Sequence, residues 1–230
     1  MTTSPASFAD PADVSRVSAN LAAVHRRIRD GGADPARVAV VAVTKTFGLD
    51  MVYAAAAAGL SAVGENYLEE LEEKRRGAGD LAVRWHYLGA LQSNKIARIV
   101  AVADVISGVS REKEIRRIAT ARPGVCIDVQ VDLTHAPQRN GCDEGEVAHL
   151  VALARDEGLE VRGLMTVASP DAAAAAAQFA RVDELAREVG VSGRSMGMSD
   201  DLEIAVSHGS TEVRVGRALF GPRNGSVALT

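Results

Sequence analysis

Strand-like and helix-like segments alternate along this chain of 230 residues from about residue 38 onward, after a first helix predicted at residues 13–30. Such alternation requires right-handed crossovers and produces a parallel sheet. The strand-like runs are short and rich in Val, Ile and Ala, as buried parallel strands are. We predict strands at residues 38–45, 62–66, 85–89, 102–108, 125–133, 161–167, 194–198 and 212–216.

Eight parallel strands are the number found in a closed barrel. The predicted fold is therefore α/β, a single-domain (β/α)8 TIM barrel with an extra N-terminal helix. A doubly wound open sheet is the competing architecture, but that class usually carries a Gly-rich phosphate turn after its first strand. Here that turn reads Lys45-Thr46-Phe47-Gly48. We predict a barrel over residues 13–223, with a flexible N-terminus at 1–12 and a flexible tail at 224–230.

The composition narrows the choice of partners. With 26 basic and 30 acidic residues, the net charge of −4 provides no electrostatic reason to bind nucleic acid or an anionic membrane. The basic cluster at residues 74–76, at the end of a predicted helix, is expected to be solvated. No segment has the pattern of a signal peptide or a membrane span. Cys126 and Cys142 lack the spacing of a disulfide framework or a zinc site, so we expect a cytoplasmic protein without a metal.

Lys45 ends the first predicted strand, whose other residues are Val, Ala and Thr. The carboxyl ends of the strands carry the chemistry in α/β barrels. A lysine there is partly desolvated, which favours the neutral amine that attacks carbonyl groups. The chemical interpretation is a Schiff-base lysine. The alternative is a lysine that marks the end of a strand and extends its ammonium group to water.

Two neighbouring loops are expected to form an anion site at the same end of the barrel. Ser199 stands between the seventh strand and a helix predicted at residues 200–207, where it would be an N-cap beside outward-pointing N–H groups. Gly216 and Arg217 follow the eighth strand, and the loops after strands seven and eight commonly bind phosphate in such barrels. Because strand one borders strand eight in a closed barrel, Lys45 is expected nearby. A simple helix cap is the alternative role of Ser199.

Arg214 lies between Val213 and Val215, so its guanidinium enters the barrel if the two valines face the helices. A buried arginine needs an acceptor, and a structural salt bridge to Glu65 or Asp128 is the alternative to a binding role. His86 is ambiguous, because a lone histidine beside aromatic residues is more often a hydrogen-bonded core residue than a functional one.

Six sequence blocks occur in the order typical of one known family. They are Val43-Thr44-Lys45-Thr46, Gly64-Glu65-Asn66-Tyr67, Trp85-His86-Tyr87-Leu88-Gly89-Ala90-Leu91-Gln92-Ser93-Asn94-Lys95, Gly163-Leu164-Met165-Thr166, Ser195-Met196-Gly197-Met198-Ser199-Asp200-Asp201 and Val213-Arg214-Val215-Gly216. In these blocks the chain resembles the pyridoxal phosphate homeostasis protein family, over about residues 38–223. One departure is Phe47-Gly48, where such proteins often continue with a proline. It affects the loop beside the lysine and not the lysine itself.

The resemblance implies a barrel like the N-terminal domain of alanine racemase, carrying pyridoxal 5′-phosphate as an imine on Lys45. By the same resemblance Ser199, Gly216 and Arg217 hold the phosphate, Asn66 lies near the ring, and Arg214 faces the pyridine nitrogen. The full set of expected cofactor-binding residues is Lys45, Asn66, His86, Met198, Ser199, Arg214, Gly216 and Arg217. None of these residues is expected to be catalytic.

The expected function is a carrier that buffers pyridoxal phosphate and delivers it to apoenzymes. A guanidinium at the ring nitrogen keeps that nitrogen neutral and weakens carbanion stabilisation. Racemases with such an arginine use a second acid–base group from an additional domain, which we do not expect here, and a monomer is expected. One alternative is a weak pyridoxal-phosphate-dependent amino-acid racemase or related enzyme. Another is a Schiff-base aldolase that uses Lys45 without a cofactor.

Overall fold

The computed structural model of this chain describes residues 9–136 and 139–222, so residues 1–8 and the predicted tail at 224–230 lie outside the described residues. The first helix, α1 (Pro11–Asp30), begins two residues earlier than predicted. Asp10 explains the difference, because its carboxylate accepts a hydrogen bond from the Ala12 amide and Pro11 occupies the first turn. Both features favour a helix start at that point.

Eight parallel strands form a closed barrel in sequence order, which confirms the predicted fold. Each strand pairs with the next in the chain, and β1 closes the barrel against β8 with Val41 opposite Arg214. The strands are β1 (Ala39–Val43), β2 (Ala62–Glu65), β3 (Arg84–Tyr87), β4 (Val105–Val109), β5 (Cys126–Gln130), β6 (Glu160–Met165), β7 (Gly193–Ser195) and β8 (Glu212–Val215).

Helices follow the strands and cover the outside of the barrel, where their apolar faces pack on the sheet. After α1 they are α2 (Leu49–Ala57), α3 (Leu68–Ala78), α4 (Ile96–Val102), α5 (Glu112–Ala121), α6 (Val147–Asp156), α7 (Ala172–Glu188), α8 (Leu202–Ser207) and α9 (Arg217–Phe220). Within the described ranges, no helix combines the length and the apolar composition needed to cross a membrane. The cytoplasmic location stays a prediction.

Most of the predicted strands run too far at their carboxyl ends. Strand β1 ends at Val43 rather than at residue 45, and β7 ends at Ser195 rather than at residue 198. The backbone there leaves the ladder in left-handed conformations, with φ of +67° at Thr46 and +97° at Gly197. The chain beyond these strand ends therefore forms loops. Lys45, Met198 and Ser199 are all loop residues at the mouth of the barrel.

Charged side chains fill the interior of the barrel beneath that mouth. Arg162 donates to both carboxylate oxygens of Asp128, at 2.9 and 2.5 Å, and to both oxygens of Glu212, at 2.5 and 3.0 Å. Burial opposes the charge on Arg162, but the two carboxylates outweigh it and raise the pKa of the guanidinium. This layer closes the barrel below the mouth, so a ligand enters from the carboxyl ends of the strands.

Candidate functional site

A cavity of about 640 Å³ opens at the carboxyl ends of the strands. This volume lies within the usual range for small-molecule and cofactor sites. Seven of the eight residues expected to bind a cofactor line it, and only His86 is missing from that set. The described lining residues are Val43, Lys45, Asn66, Leu88, Met165, Val167, Met198, Ser199, Asp200, Arg214, Gly216, Arg217 and Pro222.

Lys45 is half-buried and lines the cavity from the loop two residues beyond β1. Asn66 lies directly beyond β2, the neighbouring strand, and faces the same space. The parallel barrel brings these two loops together because consecutive strands end at the same rim. Lys45 is the one lysine among the described residues that line the cavity, so an aldehyde bound there meets a single primary amine.

Arg214 is 5% exposed and faces the barrel interior, whereas its neighbours Val213 and Val215 pack toward the helices, as the alternation predicts. Its guanidinium donates to the carbonyl oxygens of Ser195, at 2.5 Å, and Thr166, at 2.7 Å. The expected alternative, a salt bridge to Glu65 or Asp128, is wrong, because those carboxylates pair with Lys74 and Arg162. Burial lowers the pKa of Arg214, and Glu212 opposes that effect.

The Ser195 hydroxyl connects Arg214 to the ionic layer below. It donates its one hydrogen to a Glu212 carboxylate oxygen at 2.7 Å and therefore accepts from Arg214 Nη1 at 2.9 Å. Burial alone would raise the pKa of Glu212, but the neighbouring His86, the cationic Arg162 and the hydrogen bonds from Arg162 and Ser195 outweigh it, so its pKa lies below the usual range. An anionic Glu212 thus fixes the direction of the Ser195 hydroxyl and supports the cationic Arg214.

His86 does not line the cavity, and its expected role as a cofactor contact stays a prediction. It lies in the barrel interior, 1% exposed, and its Nδ1 is 4.0 Å from a Glu212 oxygen and has no hydrogen-bond partner among the described residues. The mid-strand position of His86 in β3 explains this depth. Leu88, two residues further on the same face, reaches the mouth instead, and the two-residue period of a strand could have predicted it.

Burial lowers the pKa of His86 from its ordinary value of 6.5, although Glu212 opposes the shift. Below about pH 6.5 the His86 side chain therefore binds a proton in the unfolded chain but stays neutral in the folded chain. The unfolding free energy decreases as the pH is lowered through this range. We expect His86→Gln to reduce this pH dependence of the unfolding free energy by up to about 1.4 kcal/mol per pH unit. Urea unfolding at pH 7 and pH 5.5 measures the effect. An unchanged slope in His86→Gln contradicts the assignment.

Ser199 is not the N-cap of α8, contrary to expectation. The helix begins at Leu202 after Asp201, and Gly197, in its left-handed conformation, turns the chain early. The Ser199 hydroxyl instead accepts from the Ala218 amide at 3.3 Å, and its carbonyl accepts from Arg27 Nη1 at 2.8 Å. These contacts hold the loop after β7 against α9, which follows β8, and against α1.

Gly216 and Arg217 follow β8 at the same rim. A Cβ atom on Gly216 would lie 3.0 Å from the carbonyl oxygen of Val43, so the close approach of the two loops favours glycine there. The guanidinium of Arg217 forms an ion pair with the exposed carboxylate of Asp200, which also lines the cavity. An anion that binds at this rim therefore competes with Asp200 for Arg217.

The chain matches known proteins over nearly its whole length. The family model described as "Alanine racemase, N-terminal domain" matches residues 12–224. The "Pyridoxal phosphate homeostasis protein" of Pseudomonas aeruginosa is 39% identical over 226 residues, which cover 92% of this chain and 97% of that protein. The chain belongs to the pyridoxal phosphate homeostasis protein family.

Solved structures agree with membership of the pyridoxal phosphate homeostasis protein family. PipY of Synechococcus elongatus PCC7942, solved with pyridoxal phosphate bound, is 31% identical and superposes with a TM-score of 0.79, covering 89% of this chain and all of PipY (100%). Alanine racemase from Corynebacterium glutamicum superposes with a TM-score of 0.68 at 18% identity, covering 94% of this chain and 64% of the racemase. The second likeness shows the shared barrel fold.

The departure from the family pattern at Phe47-Gly48 has a structural counterpart. The ring of Phe47 packs against the ring of Phe220 in α9, with 5.2 Å between the ring centroids and an interplanar angle of 50°. Tilted aromatic pairs of this kind are stabilising. In this member of the pyridoxal phosphate homeostasis protein family, the contact attaches the loop that carries Lys45 to the helix after β8.

Proposed function

We propose that this chain binds pyridoxal 5′-phosphate in the cavity at the mouth of the barrel and acts in its homeostasis as a carrier. The observation that carries the proposal is a single cavity that contains Lys45, Ser199 and Arg214. When bound, the cofactor would supply an aldehyde, and the Lys45 amine would hold it covalently with release of one water.

The residues present fit each chemical feature of this cofactor. Lys45 provides the amine for the aldehyde, and Asn66 provides an amide beside the ring. Ser199, Gly216 and Arg217 are the proposed phosphate contacts. Because the Ser199 oxygen already accepts from the Ala218 amide, its hydroxyl hydrogen can donate to a phosphate oxygen. The cavity volume of about 640 Å³ accommodates a ligand of this size.

Arg214 supports a carrier rather than an efficient enzyme. Enzymes that use the pyridine ring as an electron sink hold a proton on its nitrogen, commonly with a carboxylate. In this structure the guanidinium is fixed by Ser195 and Thr166, and we propose that it faces the ring nitrogen. A donor cation at that position keeps the nitrogen unprotonated. The residues of this site therefore bind and orient the cofactor without providing strong carbanion stabilisation.

We propose apoenzymes that use pyridoxal phosphate as recipients, and a monomer as the carrier. Tyr67 and Met198 are the large apolar side chains exposed among the described residues, at 55% and 36%. Met198 lines the cavity and Tyr67 directly follows Asn66, so both are near the place where the cofactor would leave. Reactivation of an apoenzyme by the loaded protein, with an aldehyde scavenger present to remove free cofactor, tests delivery.

The absorption spectrum of the purified protein tests cofactor binding. A conjugated carbon–nitrogen double bond between Lys45 and pyridoxal phosphate absorbs visible light, and borohydride reduces it and removes the colour. A Schiff-base aldolase that uses Lys45 alone gives no visible band. A colourless protein that gains no band when pyridoxal phosphate is added would contradict the proposed function.

Ser199→Ala should weaken binding of pyridoxal phosphate. A hydrogen bond to a charged group contributes about 1.5–3 kcal/mol, which corresponds to a roughly ten- to hundredfold loss of affinity. Phosphate-free pyridoxal should bind both proteins alike, and equilibrium dialysis measures the two ligands. Ser207→Ala is the matched control, because this exposed serine on α8 donates to Ile204 instead. Equal weakening of both ligands would mean that Ser199 only supports the loop.

A further inference from the structure

The buried lysine of α3, Lys74, lies outside the cavity but contacts the turn that carries Lys45. Its ammonium nitrogen is 2.8 Å from the Thr44 carbonyl oxygen, 2.6 Å from Glu65 Oε1 and 3.1 Å from Glu70 Oε2. An ammonium group has three hydrogens to donate, so these three acceptors use all of them. Lys74 is 5% exposed, contrary to the expectation that the basic cluster at residues 74–76 is solvated.

The contacts of Lys74 fix both chain neighbours of Lys45. Thr44 accepts from Lys74 through its carbonyl, and its hydroxyl donates to the same Glu65 oxygen at 2.6 Å. Thr46 donates its amide hydrogen to Glu70 Oε2 at 2.9 Å, and that oxygen also accepts from Lys74. One ammonium group therefore holds the residue before Lys45 directly and the residue after it through Glu70.

The conformation of Thr46 shows why this turn needs support. Its φ of +67° lies in the left-handed region, which a β-branched residue rarely adopts. Such conformations persist only where the surroundings hold them, and they cluster at functional sites. The Thr46 side chain is exposed, so hydrogen bonds of the backbone hold this turn. They are the bond from the Thr46 amide to Glu70 and the turn bond from the Phe47 amide to the Thr44 carbonyl oxygen at 3.0 Å, the same oxygen that accepts from Lys74.

The cluster has features that are not expected of an arrangement for stability alone. Glu65 is fully buried, its Oε2 has no hydrogen-bond partner among the described residues, and burial raises its pKa even beside Lys74. Apolar residues of similar volume often replace a buried ion pair without loss of stability. What the ion pair provides here is a fixed backbone at Thr44 and Thr46.

We propose that Lys74 is a positioning residue for Lys45, which through Thr44 and Glu70 directs the Lys45 amine toward the bound aldehyde. The inference rests on the proposed function, in which a bond forms between Lys45 Nζ and the aldehyde carbon with release of one water. Lys74 itself does not touch the ligand. It should therefore affect formation of that bond more than it affects binding of the ring and the phosphate.

The test compares two ligands on Lys74→Met, which removes the ammonium group and keeps a side chain of similar length. Pyridoxal 5′-phosphate reports covalent attachment, and pyridoxine 5′-phosphate, which has an alcohol in place of the aldehyde, reports binding without it. We expect at least about a tenfold loss in covalent attachment, or 1.4 kcal/mol, with pyridoxine phosphate affinity unchanged within about twofold. Equal losses for both ligands, or no loss for either, overturn the proposal.

Control variants separate positioning from folding and from the proposed function. Arg75→Met on the same helix removes an ion pair with Asp104 and should leave covalent attachment unchanged. Glu70→Ala removes the acceptor of Thr46 from a partly exposed position, and should reproduce the selective loss if Lys74→Met does not fold. If wild type itself does not attach pyridoxal phosphate, the proposed function fails. If wild type and Lys74→Met attach it equally, only the positioning role fails.

A rescue variant tests the turn itself. Glycine adopts left-handed φ values without strain, so Thr46→Gly lowers the need for the Glu70 hydrogen bond. In the Lys74→Met background it should restore part of the covalent attachment. The absence of any recovery in a folded double variant overturns the proposal.

Discussion

Lys45→Ala is expected to abolish covalent attachment of pyridoxal phosphate while leaving the fold intact. Alanine keeps the backbone of the turn, but the only lysine among the described lining residues is lost. The aldehyde then has no primary amine to attack it within the cavity. Borohydride reduction followed by peptide mapping measures the result, and wild type should carry the pyridoxyl group on Lys45.

The other lysines provide the controls for this prediction. Lys95 pairs with Glu69 at 2.9 Å, and Lys113 is exposed on α5. Neither lines the cavity, so Lys95→Ala and Lys113→Ala should retain the label on Lys45. A pyridoxyl group found mainly on Lys95 or Lys113 of the wild-type protein would contradict the proposed site.

The sequence alone was sufficient to predict the barrel, the end at which Lys45 lies and the inward direction of Arg214. Eight apolar runs that alternate with helices require a parallel sheet, and the closed barrel confirms that prediction. Lys45 was expected at the mouth because it ends the apolar strand predicted at residues 38–45. Arg214 was expected in the interior because valines flank it, and the structure confirms that orientation. Both results depend on local periodicity, which a sequence displays directly.

Contacts between residues distant in the chain could not be predicted in the same way. The acceptors of Arg214 are mainly backbone carbonyls, and no side-chain pattern marks a carbonyl oxygen as a partner. The role of Ser199 was wrong as an N-cap because a left-handed glycine ends β7 before the predicted point. The expected salt bridge from Arg214 to Asp128 was wrong because Arg162, on another strand, pairs with that carboxylate, and sequence alone does not show which distant residues meet.

Lys74 is a further residue that sequence reasoning placed wrongly. It lies in the run Glu69-Glu70-Leu71-Glu72-Glu73-Lys74-Arg75-Arg76, which is typical of an exposed helix surface. One signal was present, because Leu71 and Lys74 are three residues apart and share a helix face, and Leu71 is buried. The buried acceptor Glu65 belongs to another element, so its pairing with Lys74 emerges only from the tertiary structure.

Arg214→Glu is expected to increase carbanion chemistry at a bound amino acid and to destabilise the fold. The new carboxyl group would face the carbonyl oxygens of Ser195 and Thr166, which now accept from the guanidinium. An acid among acceptors takes up a proton, and a proton held there can be shared with the ring nitrogen. Replacing the buried guanidinium by a carboxyl group that faces carbonyl oxygens should lower the unfolding free energy by about 3–5 kcal/mol, measured by urea unfolding.

The decisive measurement is exchange of the α-hydrogen of alanine in deuterated buffer, expressed per bound cofactor. We expect Arg214→Glu to exchange at least about tenfold faster than wild type, since that ratio requires only about 1.4 kcal/mol of added stabilisation. Arg214→Gln is the matched control, because its neutral amide can still donate a hydrogen bond to the Ser195 carbonyl but has no ionisable proton to share with the ring nitrogen. It should exchange more slowly than Arg214→Glu. If wild type already exchanges at enzymatic rates and releases racemised alanine, the carrier proposal is wrong and a weak racemase replaces it.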